Sequence, residues 1–251
     1  MTELEDLAVE FLEIVKSAKK AYVLTGAGVS TPSGIPDFRG KDGIYKKMPP
    51  DIFDIERFYK DPKRYYTFHK ERISLMKKAE PNPVHLAIAR LEELGMIDAV
   101  ITQNIDGLHR KAGSSKVIEL HGTVNEYVCT RCGRIYPAEE IDAILESVDV
   151  PKCEECGGLI KPNVVFFGEA LPERALVEAF KIAEEADLAI AVGTSLIVYP
   201  AALIPRRTVE TGGKLVIITL GGTGLDSIAF RKYEVELSEF FKLLLENLRG
   251  G

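Results

Sequence analysis

The stretch GAGVSTPSGIPDFRG, residues 26–40, decides how the rest of the chain is read. It follows Ala21-Tyr22-Val23-Leu24-Thr25, a short apolar run that reads as a buried strand. Gly26-Ala27-Gly28 then suits a tight turn beneath a dinucleotide phosphate. The dinucleotide pattern stops there. Thr31 stands where the third glycine of G-x-G-x-x-G belongs, and Pro32, Ser33-Gly34 and Pro36-Asp37-Phe38-Arg39 read as loop and not as helix. A hydride-transfer site would also carry an acidic residue about 20 positions on, to hold the adenosine ribose. That region reads Lys46-Lys47-Met48-Pro49-Pro50, with neither strand nor carboxylate.

Outward from this turn, apolar strands and amphipathic helices alternate. Leu4, Leu7, Ala8, Phe11, Leu12 and Val15 share one face of an N-terminal helix. A helix over 84–95, stopped by Gly95, leads to a strand over 98–102, and Val117-Ile118-Glu119-Leu120 reads as another strand. A helix over 172–186 leads to strand 188–192, a helix over 200–211 leads to strand 215–218, and a helix over 238–248 closes the pattern. Strands apolar on both faces, alternating with helices, predict an α/β fold: a Rossmann-like parallel sheet with helices on both faces. Two segments interrupt it. Residues 1–40, 84–123 and 164–251 are expected to build the sheet domain. Residues 41–83, rich in Lys, Tyr and Phe, are expected to be a helical insertion, and 124–163 a metal-binding module; together these two make a small second domain.

The chain has 251 residues, a formal charge of −6 and a pI near 5.4. Such a balance argues against direct nucleic-acid binding, which needs a basic surface. Glu3, Glu5 and Asp6 stand where a signal peptide would be positive. The apolar run from Leu188 to Pro205 is broken by Gly193-Thr194-Ser195 and Pro200, so it reads as strand, turn and helix and not as a membrane span. The expectation is a cytoplasmic protein with no membrane association.

All four cysteines fall into two pairs, Cys129/Cys132 and Cys153/Cys156, each C-x2-C. Two such knuckles can set four thiolates around Zn²⁺. Gly133 and Gly157 follow the second cysteine of each pair, where a tight knuckle can require positive φ. Four protein ligands leave the metal no open position, so it acts as a structural staple.

Polar side chains gather where strands end. Thr102-Gln103-Asn104-Ile105-Asp106-Gly107-Leu108-His109 follows strand 98–102, and open α/β sheets bind ligands outside their carboxyl strand ends. Capping of a following helix would explain Asn104 or Asp106, but three amide or acid side chains exceed that need. Among the four histidines, His121, at the end of strand 117–120, is the candidate general base. His69 and His85 read as helical, and His109 lies one turn into the next helix. Gly193-Thr194-Ser195 could wrap a second phosphate or ribose.

Taken with TQNIDGLH (102–109), His121-Gly122, NVVFFGE (163–169) and GTSLIVYPA (193–201), this chain resembles the sirtuin family of NAD-dependent protein deacylases, bacterial members above all. The resemblance covers about residues 20–220. It implies that acyl-lysine, NAD and water become lysine, nicotinamide and 2′-O-acyl-ADP-ribose, with His121 deprotonating a ribose hydroxyl and Asn104 ordering ribose and water. It assigns NAD contacts to Gly26, Ala27, Gly28, Thr31, Asp37, Phe38, Arg39, Gln103, Asn104, Ile105, Asp106, Gly193, Thr194 and Ser195. Phe38 would shield the reacting ribose as part of a mobile loop. Val165, Phe167, Gly168 and Val198 match the acyl-lysine tunnel, where acetylated lysine peptides would bind. After the last core strand the family has an asparagine that binds ribose; here it is Thr219, which implies weaker NAD binding. Relatives that remove acidic acyl groups carry Tyr-x-x-Arg where this chain reads Tyr66-Thr67-Phe68-His69, which favours acetyl, although Arg64 and Arg72 are near. The runner-up is mono-ADP-ribosyl transfer or NAD hydrolysis on the same site.

Overall fold

The computed structural model describes residues 2–38, 40, 43–46 and 49–249. Helix α1, Glu3–Ser17, begins in a capping box: Thr2 accepts the N–H of Glu5 and the Glu5 carboxylate accepts the N–H of Thr2. It is followed by β1 (Ala21–Thr25), and then, after the first insertion, by α4 (Pro83–Glu93) and β2 (Ala99–Thr102). The single-turn α5 (Leu108–Lys111), β3 (Val117–Glu119), α7 (Glu173–Glu185), β7 (Leu188–Val192), α8 (Leu203–Glu210), β8 (Lys214–Ile218), β9 (Arg231–Tyr233) and α9 (Leu237–Arg249) complete this part.

Six strands form one parallel sheet in the order β3-β2-β1-β7-β8-β9. Alternate side chains face opposite layers. Val23, Val100, Ile190 and Val216 pack under Phe11 and Val15 of α1, Ile88 and Leu91 of α4, and Phe240 and Leu244 of α9. Tyr22, Leu24, Ile101, Ala189 and Ile217 pack under Ala179 and Ala183 of α7 and Ile204 of α8, where alanines let the helix lie close. Thr25 pairs with Thr102 on one side and with Val192 on the other, and Val192 pairs with Ile218. The carboxyl ends therefore align, and the strand order turns back at β1. Such a switch point opens a crevice between the flanking loops.

Both insertions build one second core. The first carries α2 (Ile55–Lys60) and α3 (Pro62–Lys78). The second carries β4 (Gly122–Cys129), β5 (Ile135–Pro137), α6 (Ala138–Leu145) and β6 (Ile160–Val164), its strands antiparallel in the order β5-β4-β6. Phe58, Tyr65, Tyr66 and Met76 of the first pack with Tyr127, Tyr136, Ile141, Ile160 and Phe166. Tyr66 donates its hydroxyl proton to the Ile160 carbonyl. β4 starts at Gly122 and β6 runs through Val164, so the small sheet overruns the expected limits of 124 and 163 at both ends.

The structure corrects the sequence reading in three places. Pro32 and Ser33, expected as loop, close a 3-10 helix over Ala27–Ser33 that ends at Gly34 with φ +83°. Pro32 leaves the Val29 carbonyl without its helical donor, and the Asn82 side chain supplies one at 2.8 Å. β8 is not the last core strand: β9, three residues of Arg-Lys-Tyr at the sheet edge, lacks an apolar pattern to betray it. Helix α6 lies inside the metal-binding module, where the sequence reading placed no helix.

Candidate active site

The glycine turn is built for contact with its neighbour. Gly26 N–H donates to Val192 O at 3.1 Å and Gly28 N–H to Gly193 O at 2.9 Å. A Cβ on Gly26 would lie 2.7 Å from Thr194 Cβ, and one on Gly28 2.8 Å from Gly193 O. The two glycines are therefore required where the turn after β1 interlocks with the turn after β7, and these two N–H groups are already engaged within the protein. Gly193 itself has φ +59°.

Ser30, on the 3-10 helix, is the hub of the polar cluster. Its hydroxyl donates to Asp106 Oδ2 at 2.7 Å and accepts from Asn104 Nδ2 at 3.1 Å. Asn104 Nδ2 also donates to Gly26 O at 3.1 Å, so both amide protons are engaged and Oδ1 is left as the acceptor. Asp106 Oδ1 accepts Leu108 N–H at 2.9 Å, so the carboxylate also holds the first N–H of α5, whose N-cap is Gly107. Gln103 Nε2 reaches across the switch point to Thr25 O at 3.3 Å and Thr194 Oγ1 at 3.0 Å.

His121 Nδ1 lies 2.8 Å from the Gln103 carbonyl. A carbonyl only accepts, so Nδ1 carries the proton and Nε2 holds the lone pair in the neutral ring. Burial holds the pKa of His121 below the usual histidine value, and the bond to Gln103 offsets this in part. The ring is thus a neutral base with a fixed tautomer. Its own carbonyl accepts Val165 N–H at 2.9 Å, which ties base and following loop together.

One cavity of about 1110 Å³ joins these groups. It is lined by Gly26, Ala27, Gly28, Asp37, Phe38, Gln103, Asn104, Ile105, Asp106, His121, Val165, Phe167, Gly168, Gly193, Thr194, Ser195, Val198 and Thr219. Thr31 does not line it: the residue is exposed and its hydroxyl turns back to Gly28 O at 3.0 Å. Arg39 lies outside the described residues. Phe38 meets Phe53 edge to face at 6.2 Å. Of the adjacent tyrosines 65 and 66, Tyr65 lines the cavity, while Tyr66 is fully buried. Sequence reasoning missed Ser30 and Tyr65. Ser30 sat within the decisive motif, but nothing local distinguishes it from a turn serine; Tyr65 was one residue from the expected position.

The four cysteine sulfurs lie within 4.8 Å of one another. Cys129–Cys156 and Cys132–Cys153 sulfur pairs are 3.4 and 3.7 Å apart, too far for disulfides and close to the edge of a tetrahedron with a metal–sulfur distance of about 2.3 Å. Gly133 and Gly157 have φ +74° and +67°, and their N–H groups return to the Cys129 and Cys153 carbonyls. Arg131 N–H and the Tyr136 hydroxyl point at Cys129 and Cys153 sulfur, as donors toward thiolates do. This set is able to hold a structural zinc ion.

Residues 26–200 match the family described as the Sir2 family. The chain belongs to the Sir2 family. An NAD-dependent protein deacetylase of Thermotoga maritima is 54% identical over 242 residues, 96% of this chain and 98% of the relative. An NAD-dependent protein deacylase of Pyrococcus furiosus is 45% identical over 243 residues, 96% of this chain and 97% of the relative. Among solved structures, a Sir2 with p53 peptide and NAD+ superposes with a TM-score of 0.90 at 51% identity, covering 96% of this chain and 98% of that one. A Sir2 bound to acetylated peptide gives 0.89 at 51% identity, covering 95% and 97%. The Sir2 match spans the glycine turn, the Asn104–Asp106 loop, His121 and all four cysteines.

Proposed function

We propose that this chain is an NAD-dependent protein lysine deacetylase that transfers an acetyl group from lysine to the ADP-ribose part of NAD, releasing nicotinamide. The observation that carries the reading is the neutral, tautomer-fixed imidazole of His121 on the same cavity as Asn104 and Asp106. NAD supplies an electrophilic ribose carbon when its nicotinamide departs, and the remaining work falls to the protein. His121 Nε2 accepts a proton from a ribose hydroxyl. Asn104 offers Oδ1 to ribose and water, because its two N–H groups hold Gly26 and Ser30. Asp106 receives the nicotinamide amide, steadied by Ser30 and by Leu108 N–H. Gln103, Thr194 and Ser195 line the phosphate and ribose side, with Gly26, Ala27, Gly28 and Gly193 allowing close approach. Phe38 covers the reacting ribose and excludes water. Val165, Phe167, Gly168 and Val198 form the wall for an acetyl-lysine peptide.

Residues 1–40, 84–123 and 164–251 are read as the NAD-binding domain, and 41–83 with 124–163 as the small domain, in line with the two separate sheets. Among the described residues no helix is long and apolar enough to cross a membrane. Thiols arranged for metal rather than disulfide suit a reducing cytoplasm. The test is to incubate the protein with NAD and an acetyl-lysine peptide and to identify products by mass spectrometry. Nicotinamide with acetyl-ADP-ribose is the expected result; ADP-ribosylated protein, free ADP-ribose alone or NADH would overturn it.

A further inference from the structure

Residues 165–172, after β6, have no continuous ladder to hold them, yet they carry Val165, Phe167 and Gly168 to the cavity wall. A buried lysine organises this loop. Lys161 exposes 6% of its side chain, an unusual place for an ammonium group. Nζ donates to Val164 O at 2.7 Å and Pro162 O at 3.2 Å, and pairs with Glu169 Oε2 at 3.1 Å. These three partners satisfy its three protons. The Phe166 ring centroid lies 4.6 Å from the nitrogen. The same Glu169 oxygen accepts Phe166 N–H at 2.8 Å, and Glu169 N–H returns to Phe166 O.

Every one of these partners lies between 162 and 169. The pair therefore closes the loop on itself and ties it to no distant part of the core. Two backbone links then aim it: Val165 N–H to His121 O at 2.9 Å, and Phe167 N–H to Phe53 O at 2.7 Å, with Phe167 O accepting Ile55 N–H. Burial pulls the Lys161 pKa down, and the Glu169 carboxylate pushes it partly back. A buried ion pair contributes little net stability over an apolar pair of the same volume. Shape is what this one provides.

We propose that Lys161 and Glu169 are positioning residues for the acyl-lysine subsite: their ion pair sets the placement of Val165, Phe167 and Gly168 relative to His121. This rests on the reading of that loop as the peptide-binding wall. Lys161 does not line the cavity and Glu169 does; both act through the loop they close.

The test uses the full chain with zinc, as wild type, Lys161→Met, Glu169→Gln and the double variant. Initial rates are measured with acetyl-lysine peptide and NAD varied separately, alongside melting temperatures. The peptide KM is expected to rise at least about tenfold in each single variant, with the NAD KM within about twofold and kcat less affected than the peptide KM. The double variant is expected to be no worse than the more impaired single one, because the two groups act as a unit. Peptide KM within about twofold of wild type, or equal rises in both KM values, would overturn the proposal, even with a lowered melting temperature. Should Lys161→Met fail to fold, Glu169→Gln decides alone, since the Glu169 side chain is 29% exposed. A wild-type protein inactive on the peptide would bring down the functional reading, and this proposal with it.

Discussion

The imidazoles of His85 and His109 meet edge to face with ring centroids 4.9 Å apart, and neither ring lines the cavity. Asn82 N–H donates to His85 Nδ1, so His85 Nε2–H faces Ser30 Oγ at 3.4 Å. Thr25 gives its hydroxyl proton to Thr102, so His109 Nε2–H donates to Thr25, and His109 Nδ1 has no hydrogen-bond partner among the described residues. A second proton on His109 would be buried, unpaired and beside another imidazole. Burial lowers the His85 pKa to about 4, and burial with the nearby His85 lowers that of His109 to about 3.

Acid stability follows from that pair. Both folded pKa values lie below the unfolded value of about 6.5, so the unfolded chain binds more protons in between. The contribution to stability is complete above about pH 6.5 and is lost as pH falls toward 4 and then 3, by up to about 1.4 kcal/mol per pH unit for each group. Urea midpoints at pH 7.5 and 5 should drop clearly in wild type and much less in a His85→Gln/His109→Gln double variant. Equal drops would show that other groups carry the acid sensitivity.

His121 has the same direction of shift with a catalytic consequence. Its neutral form is the base, and burial keeps it neutral below the usual histidine range. Activity should therefore hold as pH falls through 6.5 and decline only further into acid. His121→Ala should lower kcat by roughly 10² to 10⁴ with little change in melting temperature. A variant retaining near wild-type turnover would remove the imidazole from the mechanism.

Thr219 lies on the cavity wall with its N–H held by Tyr233 O at 3.1 Å, so the backbone is fixed and the short hydroxyl limits its reach. Replacing Thr219 by Asn should tighten NAD binding by about 0.5–1.5 kcal/mol, one hydrogen bond. Calorimetric titration giving an unchanged dissociation constant would contradict this.

Acyl preference turns on a chain of engaged protons. Tyr127 donates to Asp142 at 2.8 Å, so His69 Nε2–H donates to Tyr127 at 2.6 Å, and the Tyr65 hydroxyl donates to His69 Nδ1 at 3.2 Å. Arg64 pairs with Asp51, and the Arg72 side chain lies outside the described residues. A carboxylate on the acyl group would find Tyr65 and His69 already committed. Acetyl-lysine peptide should turn over at least about tenfold faster than succinyl-lysine peptide in kcat/KM; comparable values would sink the argument.

Removal of zinc should unfold the small domain, because β4, β5 and the Cys153–Cys156 knuckle meet at the sulfur cluster. Chelator treatment or Cys129→Ser should lower the melting temperature and abolish activity together. A metal-free protein that melts like the native one would end the structural role.

Local pattern carried the sheet domain far. Apolar runs such as Leu188–Val192 are buried along their whole length, and burial on both faces leaves that mark in composition. The zinc ligands were equally legible, since a knuckle is formed within a few residues. Strand β9 and helix α6 were not: one is short and polar at an edge, the other is amphipathic against a core that the sequence does not announce.

The sequence by itself determined the apolar strands of the large sheet other than β9, which four cysteines can hold a metal, and that polar groups wait at strand ends. Only the tertiary structure decided what those groups hold. Ser30 meets Asp106 across 76 residues, and Gly26 and Gly28 are required by a turn near residue 193. Lys161 reads as an ordinary surface charge until its burial is seen. The reason is physical: side-chain periodicity records which face is dry, whereas the donor that satisfies a given acceptor is chosen by how distant turns pack.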